Sequence, residues 1–281
     1  MTRTEPIAPP GTLLPGAGTL RRIRFVSQAG TGQETLLEFT DPAPHAAVCL
    51  AADAADAAGD GIDILTVPAP PGDQPGSGDE AFRWVAGDVR PGAAPPVVLT
   101  VHGAQIVWSA SRAAILAAPD RTGPFLLALI EFSYHERELR KLEQEIAASW
   151  PLLEADAPLA HSVTASDPDR FEEVGLRMEQ TLKRRMRLAR LVSHLYQPRA
   201  GLTPLATQLV ERLRERASVE ERHDALVSQL EVFERVYELT GQRISDFTAA
   251  QQSRTLEWVI IVILAAEALL LLIDLLWLMG V

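Results

Sequence analysis

The chain shows two regimes of hydrophobic spacing. Up to about residue 120, apolar residues come in short runs bounded by Gly and Pro clusters. Such runs predict strands over 21–27, 35–39, 62–67, 81–86, 97–101 and 104–108, all short and rich in β-branched or aromatic residues. The Ala-rich stretch 46–58 reads as a helix, or as a strand followed by a short helix. Residues 111–118 read as a short helix, 68–78 as a Pro/Gly loop, and 1–18 as a flexible tail with Pro6, Pro9, Pro10, Pro15, Gly11, Gly16 and Gly18.

From Thr122 onward the apolar residues recur every three or four positions. Phe125, Ala128, Phe132, His135, Leu139, Leu142 and Ile146 keep the alternating spacing of a heptad seam. Trp150-Pro151 is expected to end that first helix, with a Pro/Ala-rich connection to about residue 166. A second helix starts near Asp167-Pro168 and runs to Tyr196, its apolar stripe being Phe171, Val174, Met178, Leu182, Met186 and Ala189. Thr203-Pro204 caps a third helix, and Ser218 with Glu221 forms a capping box for a fourth.

In that fourth helix Leu226, Leu230, Phe233, Tyr237, Thr240, Ile244 and Phe247 keep the same spacing. The register continues through Trp258, Ile261, Ala265, Ala268, Leu272 and Leu275. No Pro intervenes, and Gly241 weakens the helix by only ~1 kcal/mol. A single helix of about 60 residues, ~90 Å at 1.5 Å per residue, is therefore expected; a kink over 249–253 is the competing picture.

Residues 258–277 are mostly apolar, and at ~1.5 Å per residue they match the ~30 Å core of a bilayer. Trp258 and Trp277 bracket the stretch, as aromatic residues do at membrane interfaces. Two carboxylates lie inside it. Glu267 sits at the midpoint, and Asp274, seven residues on, shares its face. A central charge costs ~2.5–3.5 kcal/mol, which thirteen Val, Ile and Leu residues offset at roughly 0.3–0.6 kcal/mol each. Small neighbours, Ala265, Ala266 and Ala268, allow a partner helix close to Glu267. An oligomer contact is the first reading of Glu267, and an ion pathway the second. Cations lie upstream, Arg254 nearest, so the positive-inside rule places the N-terminal body in the cytoplasm. The expectation is a C-terminal anchor with no N-terminal signal peptide, in a bacterial inner membrane.

Composition adjusts the picture in three ways. The formal net charge is −11, which argues against a general nucleic-acid binder. An apolar share of 47% permits a substantial core. One cysteine, Cys49, rules out an intrachain disulfide framework and reads as a small buried hydrophobe.

Catalytic motifs are missing from the sequence. There is no phosphate-loop or dinucleotide glycine signature, no His-Glu-x-x-His pair and no nucleophile elbow. His45, His102, His135, His161, His194 and His223 are scattered, with no metal spacing on one element. Glu131, Glu138 and Glu145 lie seven apart but alternate with Arg137, Arg140 and Lys141, which reads as a solvated, salt-bridged face. No catalytic, cofactor-binding or metal residue is assigned. One basic cluster stands out: Lys183, Arg184, Arg185, Arg187 and Arg190. Its bland reading is charge balance against Glu172, Glu173, Glu179 and their neighbours. Its functional reading is contact with anionic lipid, RNA (as on a ribosome) or an acidic protein.

The C-terminal residues resemble a known family. Residues 230–237, 243–247 and 256–267 are similar to the end of the "required for meiotic nuclear division" family, whose members close on a Leu-Glu-Trp-Ile-Ile-Ile-type segment with an acid about ten residues on. Glu257 and Glu267 match those acids. His102 to Trp108 resembles that family's Tyr-Gly-Val-Val-Val-Phe-Trp strand, with His102 in place of Tyr and Gln105 in place of an apolar residue. The resemblance implies an α/β domain, a helical domain, one C-terminal membrane helix and homo-oligomers. It also implies a tethering role like that of mitochondrial relatives, which hold ribosomes at the inner membrane. The family has no established catalytic residues to carry over.

Together these readings predict an α+β protein. It would have a tail over 1–18, an α/β lobe with a small sheet over 19–120, a helical, coiled-coil domain over 121–255 and a transmembrane anchor over 256–279. Trp258, Ala265, Glu267, Ala268, Asp274 and Trp277 would make the bilayer and oligomer contacts. The expected role is a non-enzymatic, membrane-tethered oligomeric scaffold. The alternative is an ion-conducting oligomer using Glu267, which broadly resembles the magnesium transporters with a Gly-Met-Asn loop, although that motif and a second span are absent. An enzyme acting through the α/β lobe would need a polar pocket around His102.

Overall fold

The computed structural model describes residues 18–30, 33–50, 60–68, 77–87, 94–163, 168–197 and 201–278. Residues 1–17 of the tail expected over 1–18, residues 51–58 of the Ala-rich stretch 46–58, and most of the 68–78 loop lie outside the described residues. Seven strands form one sheet: β1 (Thr19–Val26), β2 (Glu34–Phe39), β3 (His45–Leu50), β4 (Gly61–Pro68), β5 (Val97–Val101), β6 (Ala104–Trp108) and β7 (Arg112–Ala117). Five helices are described with it: α1 (Ser77–Ala86), α2 (Pro119–Asp156), α3 (Pro168–Tyr196), α4 (Pro204–Arg216) and α5 (Val219–Leu278).

Strand order is β2-β3-β1-β4-β7-β6-β5. Every neighbouring pair is antiparallel except β4 with β7. The register sorts the side chains between two faces. Leu65, Ala114 and Val107 form one cross-strand row, and they pack with Ala81 and Val85 of α1. On the other face lie Phe25, Phe39 and Trp108. There Tyr134 of α2 stacks on Phe39 at 3.9 Å between centroids, and the Trp108 indole donates to the Ser133 hydroxyl at 2.9 Å. The sheet is thus covered by α1 on one side and by the first part of α2 on the other.

Two elements differ from their sequence expectation. The 81–86 run belongs to helix α1, because Ala81 and Val85 are buried one helical turn apart, while Asp79 and Glu80 sit in the first turn and Arg83 in the last. The 111–118 run is strand β7, because it lies between β4 and β6 and buries both faces. A strand buried on both sides reads as a continuous apolar run, and small Ala residues fit its crowded neighbours.

The helices follow the predicted order. Helix α2, however, passes through Trp150-Pro151 to Asp156. Packing holds the turn beyond the proline: Trp150 meets Phe233 edge-on at 5.0 Å, and Leu153 and Asp156 are buried. The heptad residues from Phe125 to Ile146 are all buried. In α3 the expected stripe divides. Val174 is buried, whereas Met178, Leu182 and Met186 are exposed. The buried seam is Val174, Thr181, Leu188 and Leu195, at strict seven-residue spacing. Thr203 caps α4 through its hydroxyl, which accepts from the Ala206 amide. Ser218 precedes α5 with φ of 48°, so the left-handed backbone replaces the extended geometry of a capping box. Helix α5 then runs for 60 residues, without an interruption at 249–253.

The described residues fall into two compact units. One comprises residues up to 145 with 184–227; the other comprises 146–183 with 228 onward. In the second unit the buried Asp156 carboxylate receives both of its short contacts from Arg177, at 2.6 and 2.7 Å, with the Tyr237 hydroxyl at 3.4 Å.

Candidate functional site

Three places carry chemistry. The first is the C-terminal part of α5. It is long and apolar enough to cross a membrane, and none of that window is buried. Trp258 is 68% exposed, and Val259 to Leu264 and Leu269 to Ile273 present one apolar surface after another. Ala265, Glu267 and Ala268 are exposed within the same stretch. The side chains of Asp274 and Trp277 lie outside the described residues.

The second place is a charged cleft in the first unit, with a volume of about 1220 Å³. Asp60, which precedes β4, lines it together with the β6–β7 turn at Ser109 to Ser111. Helix α2 supplies Glu136, Arg137, Arg140, Lys141 and Glu143 from consecutive turns, and the start of α5 supplies Arg222. The carboxylates are each gripped by guanidinium or ammonium groups. Asp60 takes Arg137 and Lys141, the latter at 2.5 Å. Glu136, with a side chain only 1% exposed, takes Arg140 at 2.5 Å and Arg222 at 2.9 Å. Glu143 accepts from one edge of the Arg222 guanidinium, from Nε at 2.7 Å and Nη2 at 2.9 Å. Burial alone would raise the Asp60 carboxyl, but the Lys141 hydrogen bond and the Arg137 charge outweigh it and hold the group below the usual carboxylate range. Burial likewise works against the charged Lys141, yet Asp60 and Glu138 keep its ammonium above the ordinary lysine value.

In the Glu131, Glu138 and Glu145 row of α2, Glu138 and Glu145 are salt-bridged as expected, but burial overturns the reading of the row as a solvated face. Glu131 and Glu138 are buried, and Glu138 pairs with Lys141 at 2.7 Å and Arg187 at 3.3 Å. The pattern of acids and bases on α2 was visible in the sequence. What it lacked was Arg222, 86 residues beyond Glu136, which converts a surface pattern into an enclosed one.

The basic cluster on α3 is partly spent. Lys183 pairs with Glu179 at 2.7 Å, Arg184 with Glu145 at 3.6 Å, and Arg187 with Glu145 at 2.8 Å. Arg185 is half-buried and Arg190 is exposed. The balancing acids therefore include Glu145 and Glu138 of α2 as well as neighbours within α3.

The third place gathers histidines that are distant in sequence. His135 stacks on His194 at 5.0 Å with rings 3° from parallel, and His194 lies 3.6 Å from Asp41. The Tyr134 hydroxyl donates to the Ala43 carbonyl at 2.8 Å, with the His45 ring 3.3 Å away. Burial, reinforced by His194, pulls His135 down to about 3. Among the described residues no group of His, Cys, Asp and Glu is arranged to hold a metal ion. His102 stands apart from all three places. With Gly103 it forms the positive-φ tip of the β5–β6 hairpin, exposed, its ring 3.0 Å from Gln208. Cys49 is a free, half-buried thiol, raised chiefly by burial.

Comparison of the chain with family models, with curated proteins and with solved structures finds no match.

Proposed function

We propose that the protein is a membrane-tethered, non-enzymatic scaffold, anchored through the C-terminal part of α5 with its body on the cytoplasmic side. The observation that carries this reading is the exposure of the apolar run from Leu256 to Ile273. Such a run far exceeds the apolar patches that water-exposed surfaces tolerate, and its length suits a bilayer core. The aromatic residue at its upstream border and the cations before it support the orientation. A bacterial inner membrane is the setting we favour. The resemblance of residues 230–267 to the "required for meiotic nuclear division" family supports tethering as the role.

The scaffold assembles as a homo-oligomer in this reading. Glu267 between small alanines supplies an interhelical hydrogen bond within the span, whereas the heptad seams of α2 and α5 are filled inside the chain. The exposed part of the α3 basic cluster would meet an anionic lipid, ribosomal RNA or an acidic protein.

Alkaline carbonate extraction of native membranes tests the anchor. The full chain stays in the pellet, and a chain ending before Trp258 moves to the supernatant. Release of the full chain by carbonate would overturn the proposal. Crosslinking in membranes should give species above the monomer, diminished by Glu267→Leu; a strict monomer in mild detergent would remove the oligomeric part.

A further inference from the structure

We infer that the charged cleft of the first unit is a binding site for a phosphoryl-bearing anion. This goes beyond tethering and does not depend on the anchor. The cleft presents five basic groups, Arg137, Arg140, Lys141, Arg216 and Arg222, against three carboxylates, Asp60, Glu136 and Glu143. Glu138, buried behind the lining, also pairs with Lys141, so one formal positive charge is in excess around a volume of about 1220 Å³.

A purely structural ion-pair network does not require that excess. Buried ion pairs add little net stability over apolar packing, and a closed network would match its charges. Here one cation has no carboxylate: among the described residues, Arg216 makes no ion pair although it borders the cleft and is exposed. The paired arginines also keep donors in hand. Arg140 spends its Nε on Glu136, and its guanidinium is steadied 6.0 Å above the Trp108 ring. Arg137 spends its Nε on Asp60 and one terminal nitrogen on the Gly61 carbonyl. Each guanidinium carries five N–H donors, so both retain a polar edge for a ligand.

The donor set selects the ligand class. Four of the five cations are arginines, whose planar fork matches phosphate oxygens in pairs. Ser111 and Ser218 are also among the lining residues. The volume exceeds what a bare monoanion fills and lies somewhat above the ~300–1,000 Å³ usual for small-molecule sites. A phosphate ester, a polyphosphate or the headgroup of an anionic lipid all offer this chemistry.

Calorimetric titration of the full chain in nonionic detergent with pyrophosphate tests the inference. The expected result is saturable binding that weakens about tenfold in Arg216→Ala, the loss of one charge-assisted contact. Arg216 holds no ion pair among the described residues, so an unchanged melting temperature without ligand should accompany that loss. Glu143→Gln releases the Arg222 fork and raises the excess charge to two. It should tighten binding, which a merely structural role for Glu143 would not do. The source of the phosphoryl group is read by repeating the titration in nanodiscs of phosphatidylcholine alone and with phosphatidic acid. Loss of pyrophosphate binding only with phosphatidic acid identifies a lipid headgroup; equal binding identifies a soluble ligand. A folded chain that takes up no pyrophosphate at millimolar concentration, or binding indifferent to both substitutions, overturns the inference.

Discussion

Arg222, at the start of α5, reaches the Glu136 carboxylate on α2 at 2.9 Å, and that carboxylate is all but sealed from solvent. The same guanidinium forks onto Glu143, so one side chain neutralises two acids about two helical turns apart. Burying a carboxylate without a partner is costly, and breaking a buried pair from one side typically costs about 3–5 kcal/mol. Arg140 remains on Glu136 when Arg222 is removed, so Arg222→Met should cost about 3 kcal/mol, at the lower end of that range. Urea unfolding followed by tryptophan fluorescence measures it. Adding Glu136→Gln to the Arg222→Met variant should recover part of the loss, since the orphaned charge is then gone; an additive double variant would refute the coupling.

Acid should destabilise the first unit through His135. Its imidazole titrates near 6.5 in the unfolded chain and near 3 when folded, because burial and the neighbouring His194 disfavour the charged ring. The unfolded state therefore binds the proton first as pH falls. The stabilisation is complete above pH 6.5 and declines between pH 6.5 and 3, at about 1.4 kcal/mol per pH unit. Below the ordinary aspartate range the lowered Asp60 adds a loss of the same sign. Urea midpoints measured at pH 7.5, 6, 5 and 4 give the slope. His135→Phe keeps an aromatic ring against Phe39 and His194 and should flatten it.

Gly241 and Gly103 should respond oppositely to alanine. A Cβ at Gly241, inside α5, would meet nothing within 4 Å, so Gly241→Ala should stabilise by about 0.5–1 kcal/mol through helix propensity and a less mobile unfolded chain. Gly103 has equal space but sits at φ of 79°, where L side chains are strained. Gly103→Ala should therefore destabilise by about 1 kcal/mol. Paired thermal melts compare the two; equal effects would mean that space, rather than backbone conformation, governs both positions.

The helical half of the fold was legible because its signals are local. Thr203-Pro204 announces α4, and the spacing from Leu226 to Thr240 announces a face that the structure buries. The errors arose where burial is two-sided or where partners are remote. Strand β7 carries no alternation because both of its faces are covered, so its alanines resembled a helix. In α3, the threonine in the seam, Thr181, hid the buried register behind the more apolar Met178, Leu182 and Met186. The cleft was half visible. Its α2 charges are written in consecutive turns, but Asp60 and Arg222 come to them only through the fold.

Charge within the apolar part of α5 should decide how firmly the chain is held by a membrane. Glu267 already places one ionisable group amid exposed apolar residues, and the flanking Val, Ile and Leu residues outweigh it on insertion scales. Glu267→Leu should therefore leave carbonate resistance intact, since it removes a cost of ~2.5–3.5 kcal/mol. A second charge should behave differently. Ile263→Lys exchanges a favourable residue for one costing about 3 kcal/mol, and four positions from Glu267 it lies on the same helical face. If the two side chains pair, insertion survives; with Glu267→Leu in the same chain, the lysine stands alone and retention should drop. The readout is the pelleted fraction after carbonate for the single and double variants. Retention in Ile263→Lys that is lost in Ile263→Lys with Glu267→Leu would place both residues in hydrocarbon, facing one another. Equal release of all variants, the unsubstituted chain included, would show that this stretch does not meet lipid.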